Sequence, residues 1–177
     1  MNGNKTILII GTFDTKDDEL SYVRTCIYDQ GGTGLTMDVS VLGNPKTPTD
    51  FSKHDVAQTG GHTIEEAIKS DNENHAMQIM AKGASMLALR LVSEGRGDGV
   101  IILGGTMGTD LALDVCNTVP MGIPKYIVST VSFSPLLPPE RIPADVQMIL
   151  WAGGLYGLNS ICKSSLSQAA GTALGAA

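Results

Sequence analysis

The sequence predicts an α/β fold: an open, mostly parallel, Rossmann-like sheet of about five strands with helices on both faces. Short apolar runs rich in β-branched residues alternate along the chain with longer segments of helical periodicity. The apolar runs are continuous, which is typical of parallel strands that are buried on both faces. A length of 177 residues with 42% hydrophobic side chains is enough for one domain with a substantial core.

The first half of the chain predicts two strands, one helix and a long connection. Residues 6–10 form a β-branched run and predict the first strand. A helix is expected from Asp14 onward, and a Gly-Gly pair at 31–32 would end it. Residues 36–42 predict the second strand. The polar segment 43–63 contains Pro and Gly and is expected to be a long loop, whose role the sequence does not reveal.

The second half of the chain continues the alternation of helices and strands. Apolar residues at helical spacing predict the helices, and β-branched runs predict the strands. The expected elements are, in order, a helix at 74–93, a strand at 99–103, a helix at 110–118, a strand at 125–130, a strand at 146–150 and a helix at 157–173. The residues from 169 onward are mostly small, and we expect them to pack weakly at the edge of a domain.

Composition and charge exclude several classes of function. The net charge is −6 and no basic cluster is present, so the chain is not expected to bind nucleic acid or anionic membrane surfaces. No apolar run reaches membrane-spanning length and no signal peptide is visible, which predicts a cytoplasmic protein. The widely spaced Cys26, Cys116 and Cys162 are expected to be reduced and buried, and the histidines lack metal-ligand spacing.

The segment 104–109, Gly-Gly-Thr-Met-Gly-Thr, is the main candidate for a ligand site. It follows the strand at 99–103 and precedes a helix. Such turns bind anions because glycines admit a ligand close to the backbone and the first N–H groups of the helix point at it. The segment therefore predicts a phosphate cradle for a nucleotide. The predicted cradle residues are Gly104, Gly105, Thr106, Gly108 and Thr109.

The glycine segment does not match the strict nucleotide-binding motifs. A P-loop has Lys and then Ser or Thr after its last glycine, whereas Gly108 is followed by Thr109 and Asp110. Of the dinucleotide-binding motif, only Gly105 and Gly108 are in register. The alternative interpretation is a tight strand-to-helix turn whose glycines serve only packing.

Two further polar turns are expected at the same edge of the sheet, because the carboxyl ends of parallel strands gather there. One follows the first strand at 11–16, and the other ends the fourth strand at 129–132. Lys16 could contact a phosphate, and Asp14 could hold Mg²⁺ through water. The additional candidates for ligand binding are Gly11, Thr12, Asp14, Thr15, Lys16, Ser129 and Thr130. Alternatively these side chains only cap the helix, lie in solvent or end a strand.

Charge predicts which turn holds the phosphates. Asp17, Asp18 and Glu19 lie in the first turn expected for the first helix, where they would repel a triphosphate. The helix after the glycine segment carries only Asp110 there, so the phosphates should prefer that turn. Asp38 is expected at the middle of the second strand, where it would pair with a ligand hydroxyl or with backbone groups.

Four segments together resemble one known family. Its signature G-T-x-D-T-K is present at 11–16, and its glycine segment D-G-V-I-x-L-G-G-S-x-G-T corresponds to 98–109, with Thr106 in place of Ser. Residues 119–125 and 128–131 match the stretch that follows. The family is that of the ATP-binding domain found in the tobamovirus-resistance protein of tomato and in many bacterial and fungal proteins. The resemblance covers nearly the whole chain.

The resemblance implies an ATP-binding α/β domain with the nucleotide near the glycine segment. It also implies that the chain is the N-terminal half of a longer protein that has a second α/β domain and forms a homodimer. The antiviral role of the plant protein is lineage-specific and is not carried over. Because the resemblance implies a ligand and no particular reaction, it leaves open whether the chain is an enzyme.

Four functions are compatible with these features. The first is a binding module in which ATP and Mg²⁺ set the geometry of a dimer or of adjoining domains. The second is an enzyme of phosphoryl or nucleotidyl transfer, in which Lys16 and Mg²⁺ stabilise the charge of the transition state. The third is a domain that binds a sugar phosphate or another small anion. The fourth is a scaffold with a vestigial site.

Overall fold

A computed structural model describes residues 4–70, 72–151 and 157–177, which form a parallel sheet in the order β2-β1-β3-β4-β5. The strands are β1 (Thr6–Gly11), β2 (Thr33–Asp38), β3 (Gly99–Gly104), β4 (Lys125–Ser129) and β5 (Val146–Leu150). The helices are α1 (Phe13–Asp29), α2 (Lys53–Thr59), α3 (Ile64–Lys69), α4 (Glu73–Ser93), α5 (Thr106–Thr118) and α6 (Ser160–Ala176). The predicted α/β class with a five-stranded parallel sheet is confirmed.

Helices cover both faces of the sheet. α1 and α6 pack on the face that carries Ile7 and Ile101, whereas α2 to α5 pack on the face that carries Leu8 and Ile102. The central strands therefore bury both of their sides, which explains their continuous apolar sequences. No helix among the described residues is long and apolar enough to cross a membrane.

The strand order creates a topological switch point between β1 and β3. The chain leaves β1 toward β2 through α1 on one face, and it leaves β3 toward β4 through α5 on the opposite face. In open parallel sheets, ligands bind in the crevice outside the carboxyl ends of the strands at such a point. The turns that follow β1 and β3 therefore flank the crevice where a ligand is expected.

The second strand differs from its predicted bounds of 36–42. β2 begins at Thr33, whose N–H donates to the carbonyl of Lys5 (2.8 Å), and it ends at Asp38. The chain then turns, and both the N–H and the hydroxyl of Ser40 donate to the Asp38 carboxylate (2.9 and 2.5 Å). Asp38 thus lies at the carboxyl end of the strand, so its predicted position at the middle is wrong.

The segment predicted to be a long loop at 43–63 contains a helix, so that prediction is wrong for its second half. Ser52 and Asp55 form a capping box that starts α2. Val56 and Ala57 are fully buried and attach the helix to the core. These two residues are the only apolar ones in α2, which is why its sequence resembled a loop.

The sequence predicted that helix α5 begins at Asp110, but the helix begins within the glycine segment. Gly105 is the N-cap, and the N–H of Thr109 closes the first turn on the carbonyl of Gly105 (2.8 Å). A Cβ on Gly104 would lie 2.4 Å from the carbonyl carbon of Gly108, so only glycine lets β3 and α5 approach this closely. The glycine segment is therefore the end of a strand and the first turn of a helix.

The C-terminal helix packs more tightly than predicted. α6 covers 160–176 where 157–173 was expected, and Ala169, Ala170 and Ala173 are at most 1% exposed. Their small side chains let α6 lie close to α1, with which they share one hydrophobic cluster. The expectation that the residues from 169 onward pack weakly is therefore wrong for these three alanines, whereas Gly175 and Ala176 are exposed.

Asp17 ties the loop after β2 to α1. It is 4% exposed, and its carboxylate accepts hydrogen bonds from the N–H groups of Lys46 (2.8 Å) and Thr47 (2.9 Å) and from the Thr47 hydroxyl (3.0 Å). Burial opposes ionisation of this carboxyl, but the hydrogen bonds outweigh burial and lower its pKa below the ordinary value. The neighbouring Asp18 pairs with Lys46 at the surface (3.0 Å).

We predict that Asp17→Asn lowers the free energy of unfolding by roughly 1.5–3 kcal/mol at neutral pH, because hydrogen bonds to a charged acceptor are lost. The depressed pKa stabilises the folded state above the pKa of the unfolded chain, near 3.9, and this stabilisation disappears as the pH falls through the folded-state pKa. Urea unfolding at several pH values should show the gap between variant and parent closing below about pH 4.

Asp18→Asn is the matched control, since an exposed ion pair contributes about 0–1 kcal/mol. Equal losses for the two variants at neutral pH would contradict the anchoring role of Asp17.

Candidate functional site

Two of the predicted turns meet directly at the carboxyl edge of the sheet. Gly104 at the end of β3 pairs with Ser129 at the end of β4, and the N–H of Thr130 donates to the Gly104 carbonyl (3.3 Å). The hydroxyl oxygen of Thr130 lies 3.9 Å from where a Cβ on Gly105 would be. The glycine segment and the turn after β4 are therefore neighbours, and the space between them is named here the recess.

The N-terminus of α5 carries unused hydrogen-bond donors. Its N-cap, Gly105, has no side chain to cap the helix, and the first turn contains no acidic residue. The N–H groups of Thr106, Met107 and Gly108 have no acceptor among the residues that the structure describes. Free N–H groups and the positive end of the helix dipole make this turn suitable for an anion.

A relay of hydrogen bonds below the turn fixes its shape. The Thr109 hydroxyl donates to the Gly105 carbonyl (2.7 Å) and lies 2.6 Å from the Ser129 hydroxyl. Since a hydroxyl has one proton, Ser129 must be the donor to Thr109, and its oxygen accepts from the N–H of Val131 (3.0 Å). Thr109 and Ser129 are both fully buried, so they support the recess from within.

The two leading glycines of the segment have different roles. Gly104 is required by packing, as its contact with Gly108 shows. Gly105 has φ −78° and ψ −157°, a conformation open to other residues, and a Cβ there would meet no atom nearer than 3.9 Å. Packing alone therefore does not account for Gly105, whose missing side chain leaves the recess open.

The negative charge of Asp110, near this helix end, is partly offset by an arginine. Asp110 lies one turn inside α5, and Arg141 forms ion pairs with Asp110 and with Asp114 (2.8 Å to Asp114). Burial opposes the charge of the Arg141 guanidinium, but the two carboxylates outweigh burial and raise its pKa. The repulsion that Asp110 would exert on a bound anion is thereby reduced.

The N-terminus of α1 is closed, in contrast to that of α5. Asp38 accepts a hydrogen bond from the N–H of Phe13 (3.2 Å), and the Ser40 hydroxyl oxygen accepts one from the N–H of Asp14 (3.1 Å). A carboxylate from β2 therefore occupies the positive end of this helix. Of the two partners predicted for Asp38, the structure places backbone groups against it.

Most predicted residues of the first turn already have partners within the fold. The Asp14 carboxylate accepts a hydrogen bond from the N–H of Gly43 (3.2 Å), and it lies 3.0 Å from the hydroxyl oxygen of Ser40, whose single proton is donated to Asp38. The hydroxyls of Thr12 and Thr15 lie 3.0 Å apart. A Cβ on Gly11 would lie 2.9 Å from the Leu20 side chain, so that glycine serves packing.

Asp14 is the predicted contact for Mg²⁺, and the chemistry of the site is compatible with that ion. The described residues contain no group of three or more His, Cys, Asp or Glu side chains arranged for a metal. Mg²⁺ commonly needs only one or two carboxylates together with substrate phosphates and water. Asp14 lines a cavity of about 530 Å³ with Thr12, on the β2 side of the crevice.

Lys16 reaches across the carboxyl edge toward β5. Its backbone leaves helical geometry (φ −128°, ψ 25°), and its Nζ lies 5.1 Å from the centre of the Trp151 ring, which follows β5. This is the distance of a cation–π contact. A contact between Lys16 and a phosphate remains a prediction.

A second cavity, which the sequence did not reveal, lies beside the open helix end. It has a volume of about 330 Å³ and lies between α4, α5 and the loop after β4. Thr106 and Met107 of the glycine segment line it, together with Asn74 and Gln78 of α4. The two amides are four residues apart and therefore share one face of α4. This spacing is the feature of the sequence from which a polar wall of the cavity could have been predicted.

The chain matches the N-terminal domain of the uncharacterised protein family UPF0261 over residues 5–177. It is 55% identical over 171 residues to a UPF0261 protein of Brucella suis, covering 97% of this chain and 41% of the relative. It is 35% identical over 172 residues to a UPF0261 protein of Clostridium tetani, covering 97% and 42%. It therefore spans about two fifths of the length of these relatives.

A more distant match is the ToMV resistance protein Tm-1(GCR237) of tomato, which is 31% identical over 182 residues. The aligned region is 92% of this chain and 24% of the plant protein. The expected resemblance to the tomato protein is thus confirmed as a partial match.

We predict that Thr109→Val lowers the free energy of unfolding by roughly 1–3 kcal/mol, because the valine leaves the buried Ser129 hydroxyl without its acceptor and removes one of the two hydrogen bonds to the Gly105 carbonyl. Thr109→Ser keeps the hydroxyl and should cost about 1 kcal/mol for the lost methyl group. Urea unfolding of both variants measures the difference. If serine destabilises as much as valine, the hydroxyl relay does not hold the turn.

Proposed function

We propose that this chain, which belongs to the UPF0261 family by its match to the N-terminal domain, binds ATP with the phosphates on the N-terminus of α5. The observation that carries the proposal is the row of unused N–H groups at Thr106, Met107 and Gly108, next to a glycine N-cap. This helix end lies at the switch point of the sheet, where ligands of such folds bind.

The contrast between the two helix ends supports this placement. The N-terminus of α1 already holds the Asp38 carboxylate, whereas the first turn of α5 holds no acid. An anion near a helix N-terminus gains typically 0.3–1 kcal/mol and up to about 2 kcal/mol in favourable geometry, and each N–H bond to a phosphate adds to that. Phosphates therefore favour α5.

The residues around the recess fit a triphosphate with Mg²⁺. A Cβ at Gly105 would enter the space above the free N–H groups, and Thr106 and Thr130 can donate hydroxyl hydrogen bonds from its rim. Asp14 would hold Mg²⁺ through water, which neutralises phosphate charge when it is bound. Lys16 would supply a further positive charge from the same edge of the sheet.

The proposed role of ATP is to set the geometry of a dimer or of an adjoining domain. The chain spans only about two fifths of its relatives, so a second domain is part of this proposal. Among the described residues, none of the potential bases lies in the first turn of α5. Asp110 and Asp114, one and two turns further along α5, form ion pairs with Arg141. With these acids paired, the site favours binding of ATP over its hydrolysis.

We also propose a cytoplasmic location, which the buried free cysteines and the net negative charge fit.

Phosphoryl or nucleotidyl transfer is the second candidate, favoured by the position of Lys16 at the carboxyl edge. An ammonium there would stabilise charge that develops on a transferring phosphoryl group. Release of ADP at many turnovers per chain would select this candidate over a binding module.

We predict that Gly105→Val leaves the fold intact and weakens ATP binding at least tenfold. The backbone angles of Gly105 suit valine and the new side chain meets open space, but it fills the space that the phosphates need. Calorimetric titration with ATP and Mg²⁺ measures the affinity, and circular dichroism monitors the fold.

Gly175→Val is the matched control, because a Cβ at Gly175 in α6 also meets no atom within 4 Å. A folded Gly105→Val variant with unchanged affinity for ATP would overturn the assignment of the cradle.

A further inference from the structure

We infer that the nucleoside part of the ligand enters the cavity between α4, α5 and the loop after β4, named here the α4–α5 cavity. This inference rests on the proposed binding of ATP phosphates at α5 and adds where the base and the ribose lie. The α4–α5 cavity has a volume of about 330 Å³, at the lower end of the range of small-molecule sites.

The α4–α5 cavity is continuous with the phosphate cradle. Thr106 and Met107, whose N–H groups are unused, also line the cavity. A ligand whose phosphates contact these N–H groups therefore has its remaining part at the mouth of the cavity. No displacement of the chain is needed to connect the two.

The walls of the cavity combine apolar surface with amide groups. Met77, Leu111 and Leu137 supply apolar contacts suited to the faces of a planar base. Asn74 and Gln78 are exposed on the same side of α4, and their side-chain amides have no partner among the described residues. An amide both donates and accepts hydrogen bonds, as does the edge of a purine base.

Negative charge in the α4–α5 cavity favours the uncharged nucleoside over the phosphates as its occupant. Asp110 and Asp114 line the cavity, and one guanidinium, that of Arg141, is shared between the two carboxylates. The remaining negative charge opposes entry of a phosphate. The carboxylates can accept hydrogen bonds from ribose hydroxyls, so the uncharged part of a nucleotide is the part that fits.

The larger cavity beside Thr12 and Asp14 is the competing location for the nucleoside. It has a volume of about 530 Å³, but no residue of α5 lines it. Of the residues that line the α4–α5 cavity, it shares only Met77. A nucleoside there would not adjoin the unused N–H groups.

The test uses a matched pair of substitutions in α4. Ala81 lines the α4–α5 cavity and Ala76 lines the larger cavity, and both are nearly buried. Ala81→Met and Ala76→Met therefore insert the same side chain into one cavity or the other. Gln78→Ala is a third variant at an exposed position, where the fold is not at risk. Circular dichroism monitors folding of all three.

Dissociation constants are measured by calorimetry for ATP and for inorganic tripolyphosphate, each with Mg²⁺. We expect Ala81→Met to weaken ATP binding at least tenfold and Gln78→Ala to weaken it several-fold, while tripolyphosphate binding changes less than twofold. Ala76→Met should leave both ligands unaffected.

The position of the nucleoside and the binding of ATP are contradicted by two different results. If Ala76→Met weakens ATP binding while Ala81→Met and Gln78→Ala do not, the nucleoside lies in the larger cavity and this inference is wrong. If the unaltered chain binds neither ATP nor tripolyphosphate, the proposed function itself fails.

Discussion

The close approach of β3 to α5 at Gly104 and Gly108 is the constraint on which the site depends. A Cβ at Gly104 would lie 2.4 Å from the carbonyl carbon of Gly108, so the contact exists only because Gly104 has no side chain. The contact starts α5 at Thr106 and brings Thr109 over Ser129. The position of the free N–H groups and the hydroxyl relay beneath them both follow from it.

The turns after β1 and β3 differ in whether the first N–H groups of the following helix have hydrogen-bond acceptors. After β1, the helix end is filled by Asp38 and Ser40, which come from the end of the neighbouring strand. After β3, the neighbouring strand contributes Ser129, which supports the turn from below and leaves its N–H groups open. The first arrangement stabilises the fold, and the second leaves hydrogen-bonding capacity for a ligand.

The parts of the fold that depend on local pattern could be predicted from the sequence. Continuous apolar runs identified the strands, and the glycine segment after β3 identified the open helix end. The start of α5 could not be predicted, because it depends on contact between Gly104 and Gly108 across the turn. The closure of α1 by Asp38 depends on a residue 25 positions from Phe13, which no local pattern reveals.

Some side-chain roles were hidden for the same reason. Lys16 leans toward Trp151, which is distant in sequence and adjacent only in the folded sheet. Asp17 and Asp18 were expected to repel anions, but they hold Lys46 and Thr47 of the loop after β2. The sequence places acidic residues near a helix end, and only the fold determines whether their charge faces a ligand.

Equilibrium titration of the chain with ATP, ADP, AMP and a sugar phosphate, each with and without Mg²⁺, tests the central claim most directly. A cradle of unused N–H groups on α5 predicts the tightest binding for ATP, weaker binding for ADP and AMP, and a gain in ATP affinity with Mg²⁺. Binding of the sugar phosphate without any nucleotide, or no binding of any of the four, would contradict the claim.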